Sequence, residues 1–493
     1  MRRTSAKQQT GSRAGRWVAA ALVAGNVVAC AVNPVTGRNQ LSLVSEAQEI
    51  QLGRQSAVQV SQQLGLVPDS ALQAYVQRVG GTLAAASERP ALPWTFRVVD
   101  DPTPNAFALP GGYIFVTRGL MAMMTSEAEL ASVLGHEIGH VTAKHQVTMI
   151  SRSQLAQIGL GLGSVLAPQL QGLASAASTG LQLLFLRYSR DAERQADLLG
   201  FRYALGQQYD VREMAKVFQT LQRVEQAQAA RTGRSPVPTW AASHPGEEAR
   251  IADVERRVAA LAPGTPASRV EGPQYLNRLN GMLYGENPRQ GFFQQNVFLH
   301  PDLRFSLTFP GGWQTQNLPQ SVTGVSQRQD AMVQLTLVQQ ARGADEAARA
   351  FFSQQGVQAG QGGRTTVNGL PAVVVPFQAQ TQQGVVAGMA AFIEHNGTVF
   401  HVLAYTPAQL YGQYQGLFRQ VIGSFGPVSD PSVLNVRPTR VNVVRLPQAM
   451  TLAEFNRRYP STIPIEELAI INQVPGATST LPAGALAKRI IRQ

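Results

Sequence analysis

The stretch Gly135-His136-Glu137-Ile138-Gly139-His140 constrains this chain more than any other. On an α-helix, residues i and i+4 lie one turn apart on one face, so His136 and His140 can aim two imidazole nitrogens at a single ion. Glu137 projects about 100° further round the turn, where it can reach a water on that ion without binding the ion itself. Metal-dependent peptidases use this order of residues, with the glutamate as general base. The flanks predict a helix. Ser126 and Glu129 have capping-box spacing, and Leu130, Val133, Leu134, Ile138 and Val141 recur at helical period. Gly135 and Gly139 each cost about 1 kcal/mol relative to Ala in a helix interior, which implies that another backbone comes close. Taken alone, the pattern also fits a core helix with two incidental histidines.

A zinc site of this kind needs a third protein ligand and one position left for water. A histidine six residues after His140 is excluded, because Gln146 stands there, and Ala143 replaces the glycine that such a site would carry. His145 falls on a different helical face and is expected behind the ligands or at the surface. Further on, Ser189-Arg190-Asp191-Ala192-Glu193-Arg194-Gln195-Ala196-Asp197 places Glu193 and Asp197 at i, i+4. Glu193 can bind zinc, and Asp197 can accept the N–H of a ligand histidine. With Arg190 and Arg194 close by, the same residues also read as a solvated helix face.

The one cysteine, Cys30, excludes a disulfide framework and a cysteine-built zinc site. Its position is informative. Residues 1–29 carry Arg2, Arg3, Lys7, Arg13 and Arg16 and no acid, then an apolar run from Trp17 to Ala29 too short to span a membrane comfortably. Val27-Val28-Ala29-Cys30 resembles a bacterial lipobox, which implies acylation of Cys30 as the first mature residue. Ala31 stands where an aspartate would retain the protein at the inner membrane. The expectation is a periplasmic lipoprotein on the outer membrane of a Gram-negative bacterium. An ordinary signal peptide and a mitochondrial presequence are the alternatives. The formal net charge of +12 leaves +7 beyond residue 29, without basic runs interleaved with aromatics, so nucleic-acid binding is not indicated.

Pro68-Asp69-Ser70 opens a helix with Leu72, Tyr75, Val76, Val79 and Leu83 on its apolar face, and Ser45 with Gln48 predicts a capping box for the helix before it. Trp94 to Val99 reads as a strand. Asn105 to Thr117, broken at Pro110-Gly111-Gly112, reads as a hairpin or edge strand. Asn105, Ala106 and Phe107 are the candidate substrate strand, because a free edge beside a zinc helix can pair with an extended peptide. Residues 153–186 carry no charged side chain, but their glutamines, glycines and Pro168 favour two helices over the active site rather than a membrane span.

Four motifs occur in one order: Asn105 to Thr117, His136 to His140, Ser189 to Gly200, and His244-Pro245 through Arg250. Together they resemble the HtpX-like peptidases, the gluzincin family that includes the CAAX prenyl proteases, and the leader from Asn33 to Glu49 resembles its lipid-anchored periplasmic members. The resemblance covers roughly residues 33–265. It implies one zinc per chain held by His136, His140 and Glu193, Glu137 as catalytic base and Asp197 behind the ligands. It also implies that His244 lies near the metal, as oxyanion stabiliser or as a cap on a closed site. Arg250 is expected to tether that loop to a carboxylate.

Pro263-Gly264-Thr265-Pro266 marks a boundary. Residues 266–290 read as a connector. Residues 291–428 read as a small α+β domain, with strands at Phe305–Phe309, Val333–Leu337 and Ala372–Val375, a hairpin turning at His395-Asn396-Gly397, and two helices. Residues 436–493 resemble a LysM module, a β-α-α-β fold that binds peptidoglycan, although Gln448-Ala449-Met450 replaces its usual Gly-Asp pair. The expected fold class is α+β throughout: a signal peptide over 1–29, a mostly helical metallopeptidase domain with a small sheet over 30–265, then the two C-terminal units. The expected function is zinc-dependent hydrolysis of misfolded or misassembled envelope proteins. The partners are those substrates, the outer membrane through Cys30, and peptidoglycan. The alternative is an envelope-binding scaffold with little or no protease activity.

Overall fold

The computed structural model describes residues 30–159, 187–229, 240–262, 265, 269–381 and 384–493. Residues 1–29, where a signal peptide is expected, and most of the charge-free run, 160–186, lie outside the described residues. No helix among the described residues is long and apolar enough to cross a membrane.

Strands β1 (Cys30–Val32) and β2 (Asn39–Leu41) form an antiparallel hairpin. Inside it, Asn33 accepts from the Val35 N–H at 2.8 Å and donates to the Ala143 carbonyl at 3.1 Å. The leader is thus pinned to the end of the histidine helix. Helix α1 (Glu46–Leu64) starts on the predicted Ser45–Gln48 capping box, and α2 (Ser70–Ala85) on Asp69. A three-stranded sheet follows, built from β3 (Thr95–Val99), β4 (Ala106–Leu109) and β5 (Tyr113–Thr117) in the order β3-β5-β4. β3 runs parallel to β5, and β4 pairs with β5 as a hairpin through Gly111 and Gly112, both at positive φ. β4 is the edge strand. A short helix, α3 (Arg118–Met123), leads into α4 (Glu127–Thr142), all 16 residues of which are buried.

The capping box expected at α4 is half formed. Ser126 caps the Glu129 N–H, but the Glu129 carboxylate accepts from the Thr125 N–H and hydroxyl and from Gln473 instead. At the other end, Arg89 pairs in two-pronged fashion with buried Glu49 at 2.8 and 2.9 Å and donates to the Val141 carbonyl. Glu49 also accepts from the Gly111 N–H, so one buried ion pair ties α1, the hairpin tip and the end of α4 together. Beyond α4 come α5 (His145–Gly159), α6 (Arg190–Gly206), α7 (Arg212–Ala229), the single turn α8 (Trp240–Ser243), α9 (Glu247–Ala259) and α10 (Gly272–Leu279).

The loop between β3 and β4 holds a titratable group with a testable consequence. Burial pushes the Asp101 carboxyl up to about 6, against its hydrogen bond from Thr103 and the charge of Arg118. A folded pKa above the unfolded value of 3.8 means that its contribution to stability is intact below about pH 4 and is lost as pH rises through 6. The swing is on the order of 3 kcal/mol. Asp101→Asn is therefore expected to raise the melting temperature at pH 7.5 and to leave it unchanged at pH 4. Equal shifts at both pH values would rule this out.

The central unit is more strand-rich than its sequence suggests. It opens with β6 (Phe292–Gln294), β7 (Val297–His300) and β8 (Phe305–Thr308), which join β17 (Gly426–Pro427) in a four-stranded sheet. A larger, eight-stranded sheet takes β9 (Gln314–Leu318), β10 (Ser321–Val325), β11 (Met332–Val338), β12 (Val357–Ala359), β13 (Gly363–Val367) and β14 (Leu370–Thr381). The hairpin of β15 (Gly384–His395) and β16 (Thr398–Pro407) completes it, turning on Asn396 and Gly397 at positive φ. Its order is β12-β14-β15-β16-β11-β10-β9, with β13 also pairing β14. The strands expected from the sequence are β8, β11 and β14, and the expected hairpin is present. Strands β9 and β10 were hidden because they lack a clear apolar alternation and sit at the end of the sheet. Helices α11 (Ala344–Phe352) and α12 (Tyr411–Gly423) pack on the sheet, and this unit has its own cores.

The last unit runs β18 (Thr439–Arg445), β19 (Met450–Thr451), α13 (Leu452–Arg458), α14 (Ile465–Ile471), β20 (Thr480–Leu481) and β21 (Leu486–Arg492), with β18 and β21 antiparallel. Its Val441, Leu452, Phe455, Leu468 and Ile490 join the same buried core as Leu120 and Met121 of the first unit and Tyr275 of the connector. Buried Lys488 donates to the Ala122 and Met124 carbonyls, both at 2.7 Å, so its ammonium caps the C-terminus of α3 just before the histidine helix.

Candidate active site

The two helix glycines do what the sequence implies. A Cβ on Gly135 would stand 3.1 Å from the Gly200 Cα, one on Gly139 3.0 Å from the Ala196 Cα, and one on Gly200 2.7 Å from the His136 backbone nitrogen. Helices α4 and α6 therefore cross almost backbone to backbone. That closeness lets a side chain as short as Glu193 reach the imidazoles.

The His136 and His140 Nε2 atoms lie 3.0 Å apart, and the two Glu193 oxygens lie 3.5 Å from one and the other. Neighbouring donors on a tetrahedron with zinc bonds of about 2.1 Å are separated by about 3.4 Å. His244 joins the group, its Nδ1 3.3 Å from His136 Nε2 and 3.1 Å from Glu193, and the four side chains could hold one metal ion.

The hydrogen bonds behind the histidines sharpen this. His136 Nδ1 lies 2.8 Å from Asp197 Oδ1. Arg250 grips Asp197 with two N–H groups at 2.8 and 2.7 Å and reaches Glu193 at 3.1 Å. Burial would raise the Asp197 carboxyl, but Arg250 and His136 outweigh it and hold it well below the usual range. An ionised Asp197 fixes the proton of His136 on Nδ1 and leaves Nε2 a bare lone pair. Burial first, then the neighbouring cations, push His140 far below the ordinary imidazole value, toward its neutral form. Two imidazole nitrogens only 3.0 Å apart suit a cation between them.

Glu137 is fully buried, and neither of its oxygens has a hydrogen-bond partner among the described residues. Burial pushes its carboxyl up, which is what a proton acceptor and donor working near neutrality requires. Nearby stands His244 Nε2, 3.6 Å from Glu137 Oε1. Burial would lower His244, but Glu193 and Glu137 raise it. Its ring stacks on Trp240 at 4.2 Å.

The register of the hairpin decides which residues of the edge strand turn outward. The Thr117 N–H bonds the Asn105 carbonyl, so Asn105 and Phe107 turn their backbone groups toward β5, while Ala106 and Ala108 face the free edge. Of the three residues proposed for substrate pairing, Ala106 alone points outward, and Ala108 joins it. Gln146 donates to the Ala108 carbonyl at 3.1 Å and to the Tyr188 hydroxyl at 2.9 Å, and the backbone N–H of Trp240 donates to the Pro104 carbonyl. Tyr188, stacked on His140 at 3.8 Å, and Gln146 were missed in the sequence. Tyr188 lies next to the start of the acidic helix, and only that proximity could have flagged it.

Two histidines one turn apart, a glutamate from a second helix and, beside them, a buried glutamate without a hydrogen-bond partner among the described residues define a zinc metallopeptidase domain. Residues 70–258 match the model of peptidase family M48, so this part of the chain is similar to that family's domain. It is 28% identical over 240 residues to the beta-barrel assembly-enhancing protease of Escherichia coli, covering 47% of this chain and 48% of that one. It is 32% identical over 207 residues to the putative beta-barrel assembly-enhancing protease of Vibrio cholerae, covering 40% and 41%. With the mitochondrial metalloendopeptidase OMA1 of Schizosaccharomyces pombe it shares 29% over 247 residues, covering 49% and 71%. The matched region thus spans about half or less of the bacterial relatives.

Proposed function

We propose that this chain is a zinc-dependent endopeptidase of the bacterial cell envelope that hydrolyses misfolded or misassembled proteins. The observation that carries it is the buried meeting of His136, His140 and Glu193 beside a Glu137 that has no hydrogen-bond partner among the described residues. The names of the bacterial relatives support the choice of substrate. Lipid anchoring at Cys30 and residence in the periplasm rest on the sequence around that residue.

His136, His140 and Glu193 would hold the zinc, which when bound supplies Lewis acidity and lowers the pKa of a coordinated water to about 7. Glu137 takes the water's proton as attack on the scissile carbonyl proceeds, then delivers it to the leaving amine. Ala106 and Ala108 pair with the substrate backbone and lay it across the site. Gln146 and Trp240 occupy the two ends of that edge and limit the length of strand it accepts. His244 lies within reach of the same ion and 3.6 Å from Glu137, and in that position it would take the place of the water, closing the site. Withdrawal of His244 opens the site.

The test is digestion of unfolded casein by the purified mature chain, before and after metal removal with 1,10-phenanthroline and after zinc is restored. Activity that vanishes with chelation and returns with zinc is expected. A protein that binds zinc but never cleaves, yet is retained by peptidoglycan, would point to the scaffold instead.

A further inference from the structure

His136 and His140 are held from behind by different chemistry. His136 leans on the Asp197–Arg250 ion pair. Behind His140 stands a second imidazole in place of a carboxylate. Its Nδ1 lies 2.9 Å from His145 Nδ1, and His145 Nε2 lies 3.0 Å from Gln195 Oε1. The proton order in this row is determined by its last member. The Gln195 carbonyl oxygen only accepts, so His145 carries its proton on Nε2. A neutral His145 then has its lone pair on Nδ1 and accepts from the His140 Nδ1–H. That leaves the lone pair of His140 on Nε2, 3.0 Å from His136 Nε2. Were the row reversed, His140 would carry its proton on Nε2 and could not bind a metal there.

We propose that His145 and Gln195 form a neutral relay that fixes the tautomer and ring orientation of His140, making both positioning residues for the metal centre. The proposal rests on the zinc reading of the site. It also gives α6 a second role, since Glu193 enters the donor set while Gln195 and Asp197 set the two histidines. Outer partners of metal-binding histidines typically contribute 10- to 100-fold in affinity, about the size expected here.

Two replacements at position 145 separate hydrogen bonding from packing. His145→Phe keeps an aromatic ring and removes the acceptor. His145→Asn removes the ring and places Oδ1 where Nδ1 stood. Zinc affinity of the full-length proteins, read by competition with a chromophoric chelator, is expected to fall roughly 10- to 100-fold in His145→Phe and to stay within about threefold of wild type in His145→Asn. Gln195→Leu, which frees His145 to choose either tautomer, is expected to fall between them. The relay is overturned if His145→Phe binds zinc as tightly as wild type, or if His145→Asn loses as much as His145→Phe. Failure of the wild-type protein itself to bind zinc would instead overturn the metal site on which the relay rests.

Discussion

Glu137→Gln should retain zinc and lose hydrolysis by about 10³-fold, inside the range that a positioned proton-transfer group contributes. The substitution keeps shape and volume and removes only the ability to take a proton. Stability should not fall, because the carboxyl it replaces is fully buried, without a hydrogen-bond partner among the described residues, and pushed toward its neutral form by that burial. Initial rates on unfolded casein, with zinc content measured on the same samples, check both halves. Hydrolysis at the parental rate would remove Glu137 from the chemistry.

Glu193→Ala should have the opposite signature, losing the metal and the activity together. A zinc affinity at least 100-fold weaker than wild type is expected, since that is the loss an outer partner alone can produce. The change also leaves His244 Nδ1 without its 3.1 Å carboxylate neighbour and costs Arg250 one of its two acid partners, although Asp197 remains. The fold should therefore survive, with α4 and α6 still crossed at Gly135, Gly139 and Gly200. Equilibrium dialysis against buffered zinc measures it. Wild-type affinity in this variant would mean that His244, or another oxygen, completes the donor set without Glu193.

The chemistry was more legible than the packing around it. His136, Glu137 and His140 declare themselves because helix geometry converts a spacing into a shared face. Glu193 and Asp197 were ambiguous on the same rule, since a charged helix face has the same period, and only tertiary structure brings them to the histidines. Gly135 and Gly139 pointed to a close neighbour but could not name Gly200 and Ala196 as that neighbour. The edge strand was legible but the residues that turn outward from it were not, because a hairpin's pairing depends on where its turn closes, here at Gly111 and Gly112, and one residue of slip exchanges the inner and outer edges. Tyr188, Gln146, Trp240 and Lys488 carry no spacing signal at all. Lys488 in particular looks like an ordinary surface lysine, yet it lies buried across a contact made 366 positions away in the chain.

Anomalous scattering at the zinc absorption edge, from crystals of the full chain grown with zinc, tests the central claim most directly. One strong peak is predicted, about 2.0–2.2 Å from the Nε2 atoms of His136 and His140 and from a Glu193 oxygen. A peak elsewhere in the molecule, or one coordinated without Glu193, would contradict the account.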